Sequence, residues 1–255
     1  MRSVLTPMLR IDRLGKDFGG IRAVAGVDLR VAANEILGLI GPNGSGKSTI
    51  VNLITGVFPP TGGRIIFREK DITGWLPHQV LAAGIGRTFQ SIRLFRGLTV
   101  WQNLWVAQGA RAAGRGLFRR WLGSDRERLE QIEATLEFCR LGGKRDELAG
   151  SLAFGEQRRL ELARILAADP ELLLLDEPAA GMNVAEVGEL RERILALRGR
   201  GKTVVLIEHH MELVMTVADR VAVLNFGEKI CEGSPAQVQD DPRVREAYLG
   251  ARREG

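Results

Sequence analysis

The sequence predicts an α/β fold, a mostly parallel sheet with an antiparallel β sub-domain at its N-terminal end and an α-helical sub-domain inserted in it. Three features carry that prediction. The apolar stretch Glu35–Ile40 runs into a glycine-rich turn, Gly41–Ser48, and then into Thr49–Thr55, whose apolar residues fall at helical spacing. Leu172–Leu175 and Thr203–Ile207 are further short apolar runs separated by a helical pattern, the rhythm of buried parallel strands joined by helices. Arg96–Gly150, by contrast, carries only helical patterning.

Taken in order, residues 1–7 show no pattern and read as an extension. Leu9–Leu14 alternates as a strand, Lys16–Gly20 reads as a turn carrying Phe18, and Val27–Val31 alternates again and pairs with the first strand. Pro59–Gly63 is a loop before a short strand, Arg64–Phe67. Pro77–Ala83 is helical and Gly86–Gln90 a short strand. Thr99–Ala113 is helical and Gly114–Gly123 a basic loop or broken helix. Ser124-Asp-Arg-Glu127 is a capping box opening a helix with Leu129, Ile132, Leu136 and Cys139 on one face, closed by Gly142-Gly143. A helix over about Glu156–Ala168 stops at Asp169-Pro170. Asn183–Glu186 is a second capping box, opening a helix with Val187, Leu190, Ile194 and Leu197 on one face. Met211–Val217 is a helix, Arg220–Asn225 a strand and Phe226–Lys229 a hairpin turn. Ser234-Pro235 caps a short helix and Asp241-Pro242 begins the last. The whole reads as one domain over 8–250, its core at 8–90 and 160–250 and the helical sub-domain at about 91–159.

At 255 residues, 45% hydrophobic and 26% charged, the composition is that of an ordinary globular protein. No apolar run approaches the ~20 residues of a membrane span, and Met1–Pro7 lacks the apolar core of a signal peptide. A reducing compartment follows, with Cys139 and Cys231 as buried thiols outside any disulfide or metal framework. The net charge of +5 invites a nucleic-acid or membrane-surface partner. It is concentrated from Arg87 to Gly123, where seven arginines and no acidic residue accompany Trp101, Trp105 and Trp121.

Gly41-Pro42-Asn43-Gly44-Ser45-Gly46-Lys47-Ser48 has the form of a phosphate-cradling loop, set between a strand and a helix as that chemistry needs. Its glycines let backbone N–H groups turn inward and the helix N-terminus adds positive potential. Lys47 would bridge the β- and γ-phosphates, and the Ser48 hydroxyl would ligate Mg²⁺. Leu172–Leu175 ends on Asp176-Glu177-Pro178. Asp176 would hold Mg²⁺, and Glu177 would polarise the attacking water. Adjacent strand residues face opposite ways, so both reach one site only if the strand ends there. Gln90, an amide able to coordinate Mg²⁺ or orient water, suits a sensor; the other reading is a solvated strand end. His209 follows the strand Thr203–Ile207 and can donate to a γ-phosphate. Glu208-His209-His210 lacks zinc spacing and is not read as a metal site; His210 and His78 are read as ordinary. Phe18 is either an adenine-stacking ring or a core aromatic. The helix start near Gly155 is either a second anion site, shared with another subunit, or an ordinary amphipathic helix start.

With these pieces in this order, the chain resembles the nucleotide-binding subunits of ABC (ATP-binding cassette) transporters over Leu9–Gly250. The resemblance implies a P-loop NTPase with a RecA-like sheet. It assigns Gly41–Ser48 as Walker A, Gln90 as the Q-loop, Leu152–Glu156 as the signature, Leu172–Glu177 as Walker B with the catalytic Glu, and His209 as the switch. ATP and Mg²⁺ contacts are then implied for Phe18, for Gly41 through Thr49, for Gln90 and for Asp176, and, across a dimer, for Ala153, Gly155 and Glu156. The signature departs from the usual Leu-Ser-Gly-Gly-Gln: Ala153 lacks the hydroxyl and Glu156 adds a charge. Asn183 stands where an Asp is usual.

Arg87–Gln90, Leu94–Val100, Ala153–Leu160, Glu177–Gly181, Ile207–His209 and Glu246–Gly250 are similar to one branch, the ATPase subunits of branched-chain amino acid importers. That resemblance implies a second ATPase subunit, identical or different, polytopic permease subunits docking near Gln90–Val100, indirectly a solute-binding protein, and a place on the cytoplasmic face of the inner membrane. Arg111–Arg120 would face lipid headgroups or an acidic surface, or be a solvated face. Alternatives within the family are import of urea or another small solute, and lipopolysaccharide export. A soluble cassette acting on nucleic acid finds support in the net charge but lacks a coiled-coil insertion, a second cassette or a zinc motif. A small-molecule kinase is disfavoured by Asp176-Glu177 and the signature segment.

Overall fold

In the computed structural model, which describes residues 6–89, 91–113 and 125–250, the N-terminal alternation forms a long antiparallel pair. Strands β1 (Leu9–Phe18) and β2 (Ile21–Val31) both outrun the predicted segments, and Phe18 ends β1 instead of sitting in a turn. The register shifts between Ile11 and Leu14, where Arg13 takes φ 45°. That bulge moves the buried face from Leu9 and Ile11 to Leu14, breaking the period of two on which the shorter prediction rested. β4 (Gly62–Phe67) and the unpredicted two-residue β5 (Lys70–Asp71) complete a sheet ordered β2-β1-β4-β5.

The chain divides into two compact units, residues to Pro77 with those from Leu172, and His78–Glu171. In the first, β3 (Ile36–Ile40), β7 (Leu172–Asp176), β8 (Thr203–Ile207) and β9 (Arg220–Asn225) are parallel, and β10 (Glu228–Gly233) turns back antiparallel on β9. The order is β10-β9-β3-β8-β7. Every residue of β3, β7 and β8 is buried, which is why these strands read as unbroken apolar runs. Helices α1 (Lys47–Ile54), α6 (Val184–Gly199), α7 (Met211–Val217), α8 (Pro235–Asp240) and α9 (Pro242–Gly250) belong to this unit. Two of the three predicted caps lie in this unit and form: Asn183 Oδ1 accepts the Glu186 N–H at 3.0 Å, and Ser234 Oγ accepts the Gln237 N–H at 3.4 Å.

The second unit takes up all but the first residue of α2 (Pro77–Ala83), then the short β6 (Ile85–Arg87), α3 (Val100–Ala113), α4 (Asp125–Phe138) and α5 (Phe154–Ala167). The 91–159 span proposed for the helical sub-domain lies inside it, and α5 begins two residues before the predicted Glu156. Val100, Leu104, Ile132, Leu136, Cys139, Leu152 and Leu160 share its core. Leu129 is instead exposed, one turn ahead of the buried stripe that starts at Ile132. α4 also stops before Gly142-Gly143. Arg140 adopts φ 55°, and the Leu141 N–H reaches back to Leu136 O at 2.8 Å, a left-handed stop made by an arginine. Gln90, the basic loop 114–123 with Trp121, and Ser124 of the first capping box lie outside the described residues.

Candidate functional site

The glycine-rich turn leaves the buried end of β3 and enters α1 at Lys47. Gly41 and Gly46 have φ 151° and 100°. A Cβ on Gly41 would stand 2.2 Å from Leu224 O, and one on Gly46 would stand 2.7 Å from Ala23 O, so neither place admits a side chain. The hairpin turn after β9 braces the loop. The Gly227 N–H donates to Ser45 O at 3.1 Å, and its carbonyl accepts the Ala25 N–H at 2.9 Å.

Lys47 is buried within its own loop. Its Nζ donates to Gly41 O at 2.7 Å, to Pro42 O at 2.8 Å and to Ser45 Oγ at 3.4 Å. Burial lowers the ammonium below the usual lysine range, while the charges of Glu177 and Asp176 pull the other way. Both acids therefore act on the lysine of the phosphate loop. Ser45 is buried; Asn43, Gly44 and Ser48 are exposed, and Pro42 and Thr49 are half-buried.

β7 ends on Asp176, which is 3% exposed and in register with Ile207. Glu177 then takes φ 49° while its N–H still donates to Ile207 O at 2.9 Å. The left-handed residue ends the strand alternation at the point where both acids are needed on one side. His209 Nδ1 lies 4.0 Å from Glu177 Oε2, with the ring more than half exposed. Sequence reasoning missed Glu208 beside it, whose side chain is wholly buried. Glu208 Oε1 accepts the Ala179 N–H at 2.7 Å, and Oε2 accepts the N–H groups of His209 at 3.1 Å and His210 at 3.3 Å. A carboxylate directly after an unbroken apolar strand was the available signal.

Phe18 is 40% exposed, edge-on to Phe58 at 5.4 Å, with Lys16 Nζ 5.0 Å from its ring. It is a surface ring, and the core alternative falls away.

In the second unit, Ala153 is the N-cap residue of α5, and its N–H donates to Glu156 Oε2 at 3.0 Å. Glu156 also pairs with Lys144 at 3.2 Å and Arg159 at 3.7 Å. Burial pushes its carboxyl up, but the Ala153 N–H and the Lys144 ammonium prevail and hold it below the usual range. Its charge is thus engaged at its own helix start. Gly155 follows Phe154, whose half-exposed ring lies 5.4 Å from the Arg158 guanidinium. Arg158 and Glu161 were also missed. They are buried together and grip Phe89, the residue before Gln90: Arg158 donates to its carbonyl at 3.2 Å, and Glu161 Oε1 accepts its N–H at 3.4 Å. Opposite charges three apart on the buried side of a helix were the only hint.

Residues 24–180 match the family model for ABC transporters, and residues 228–254 match that for branched-chain amino acid ATP-binding cassette transporters. The chain is 42% identical to the high-affinity branched-chain amino acid transport ATP-binding protein BraF of Pseudomonas aeruginosa, over 96% of this chain and 98% of that one. It is 44% identical, with the same shares covered, to LivG of Escherichia coli, which carries the same description. Among solved structures, an ATP-binding cassette of an ABC transporter in its ADP conformation superposes with a TM-score of 0.84. It is 33% identical, with 96% of this chain and 99% of that one covered. A dimeric cassette in a post-hydrolysis state, bound to ADP and Pi, gives 0.76 at 26% identity, covering 89% and 99%.

Proposed function

The chain belongs to the ATP-binding cassette family of ABC transporters, and on that premise we propose that it hydrolyses ATP to drive uptake of branched-chain amino acids. The observation that carries the ATPase reading is Lys47, buried in the phosphate loop within the field of Asp176 and Glu177. The solute class rests on the bacterial relatives and on the C-terminal family match.

Backbone N–H groups of Gly41–Gly46 and the start of α1 bind the phosphates, and Lys47 exchanges the Gly41 and Pro42 carbonyls for phosphate oxygens. One exposed hydroxyl, Ser48, and one buried strand-end carboxylate, Asp176, suit a hard cation that shares its coordination with phosphate. Ser48 and Asp176 would hold Mg²⁺, which when bound neutralises charge on the phosphate oxygens. Glu177 orients the attacking water and accepts its proton, and His209 donates a hydrogen bond to the transferred phosphoryl group. Phe18 offers its open face to the adenine. Ala153, Gly155 and Glu156 meet the nucleotide of a second cassette, whose loop meets theirs. Since Glu156 is engaged by Lys144 and by the Ala153 N–H, that contact falls to backbone N–H groups.

Gln90–Val100 receives the polytopic permease subunits, which place the chain on the cytoplasmic face of the inner membrane. Among the described residues, no helix is long and apolar enough to cross a membrane. The test is the Glu177→Gln variant, which should bind MgATP and dimerise without turnover. Near-normal hydrolysis would remove Glu177 as the base. ATP-dependent leucine uptake by vesicles holding the chain with its permease would test the solute, and uptake of urea alone would reassign it.

A further inference from the structure

Glu208 has no part in the mechanism above, yet it is the charged group buried most deeply beside it. An ionised carboxylate at 0% exposure costs several kcal/mol unless it is paired or hydrogen-bonded. Here three backbone N–H groups meet it, and they belong to two separate turns. One is the turn leaving β7 through Glu177-Pro178-Ala179, and the other is the turn leaving β8 through His209-His210.

Pairing of β7 with β8 reaches Asp176 opposite Ile207, and the Glu177 N–H adds one more bond to Ile207 O. Pro178 has no N–H to offer. The next donor is Ala179, a buried residue whose N–H must be satisfied. Glu208 Oε1 takes it, and its other oxygen takes the two histidine N–H groups. The side chain thus continues the clamp between the strands past the point where the backbone stops.

We infer that Glu208 is a positioning residue for hydrolysis: its buried carboxylate ties the turn leaving Glu177 to the turn carrying His209 and so sets their 4.0 Å approach. The inference rests on the ATPase reading. The charge matters because a carboxylate accepts on both oxygens. A glutamine accepts on one only and turns its NH₂ toward backbone donors, so Glu208→Gln keeps the size but releases one of the two turns.

The experiment measures kcat and KM for MgATP in wild type, Glu208→Gln, His209→Ala and the double variant, with Glu177→Gln as control. Glu208→Gln should lower kcat by about tenfold or more and leave KM within about twofold, as for a group that acts on the transition state. The double variant should be little slower than His209→Ala alone, since both act through the same ring. Unchanged kcat in Glu208→Gln, a loss confined to KM, or multiplied effects in the double variant would overturn the inference. If Glu208→Gln fails to fold, Glu208→Asp, which keeps the charge but withdraws it by one methylene, takes its place in the same comparison. Absence of MgATP turnover in the wild type would sink the ATPase reading itself, whereas an active wild type and an inactive Glu177→Gln beside a fully active Glu208→Gln would sink only the role of Glu208.

Discussion

The Arg158 guanidinium lies 3.4 Å from Glu161 Oε2 with both side chains under a tenth exposed, and each also holds one polar group of the Phe89 backbone. Removing the acid takes away the carboxylate paired with a buried cation, so Glu161→Ala should lower stability by about 3 kcal/mol in urea unfolding. Burial pushes the Glu161 carboxyl up, against the pull of Arg158. The extra stability of its protonated form is complete below the ordinary glutamate value and lost as pH rises through the raised one. Wild-type stability minus that of Glu161→Gln should therefore shrink from the acid side toward neutral pH; a difference that grows would contradict this.

Lys47→Ala should lose ATP affinity by about a hundredfold or more, as two charge-assisted contacts of roughly 1.5–3 kcal/mol each disappear. Equilibrium binding of a fluorescent ATP analogue checks it. In wild type, burial lowers the lysine, so binding should weaken with rising pH before an ordinary lysine would titrate.

Gly46→Ala should destabilise far more than Gly44→Ala. Both have positive φ, but a Cβ at Gly46 meets Ala23 O at 2.7 Å, while one at Gly44 meets nothing within 4 Å. Gly44→Ala then costs only the left-handed penalty of about 1–2 kcal/mol. Thermal unfolding without nucleotide separates the two.

Asn183→Ala removes the acceptor for the Glu186 N–H and should cost about 1 kcal/mol, with Asn183→Asp largely restoring it. Chemical denaturation of the three proteins orders them.

What could be read beforehand follows from where each interaction's partners lie in the chain. The phosphate loop is legible because its strand, glycines, lysine and helix fall within about two dozen consecutive residues. β7 and β8 are legible because burial on both faces leaves an unbroken apolar run. The full length of β1 is hidden by the bulge at Arg13, which inverts the alternation midway. The stop of α4 is hidden because Arg140, not a glycine, takes the left-handed place. Glu208 and the Arg158–Glu161 pair escape notice for another reason: their partners are backbone groups of Ala179 and Phe89, which carry no signature of their own and lie 29 and about 70 residues away.

The strand order also sets a timetable for the nascent chain. Both neighbours of β3 in the sheet are made late: Ile36 pairs with Val204, and Leu37 with Arg220. The roughly 170 residues between Ile36 and its first partner take roughly ten to thirty seconds to translate at about 5–20 residues per second. All of His78–Glu171 is synthesised in that interval. During it β3, apolar on both faces, has neither lateral neighbour and is open to pairing with other chains. Ribosome-bound chains halted before Thr203 should therefore recruit holding chaperones at β3, and slower growth temperatures or added chaperones should raise the soluble yield.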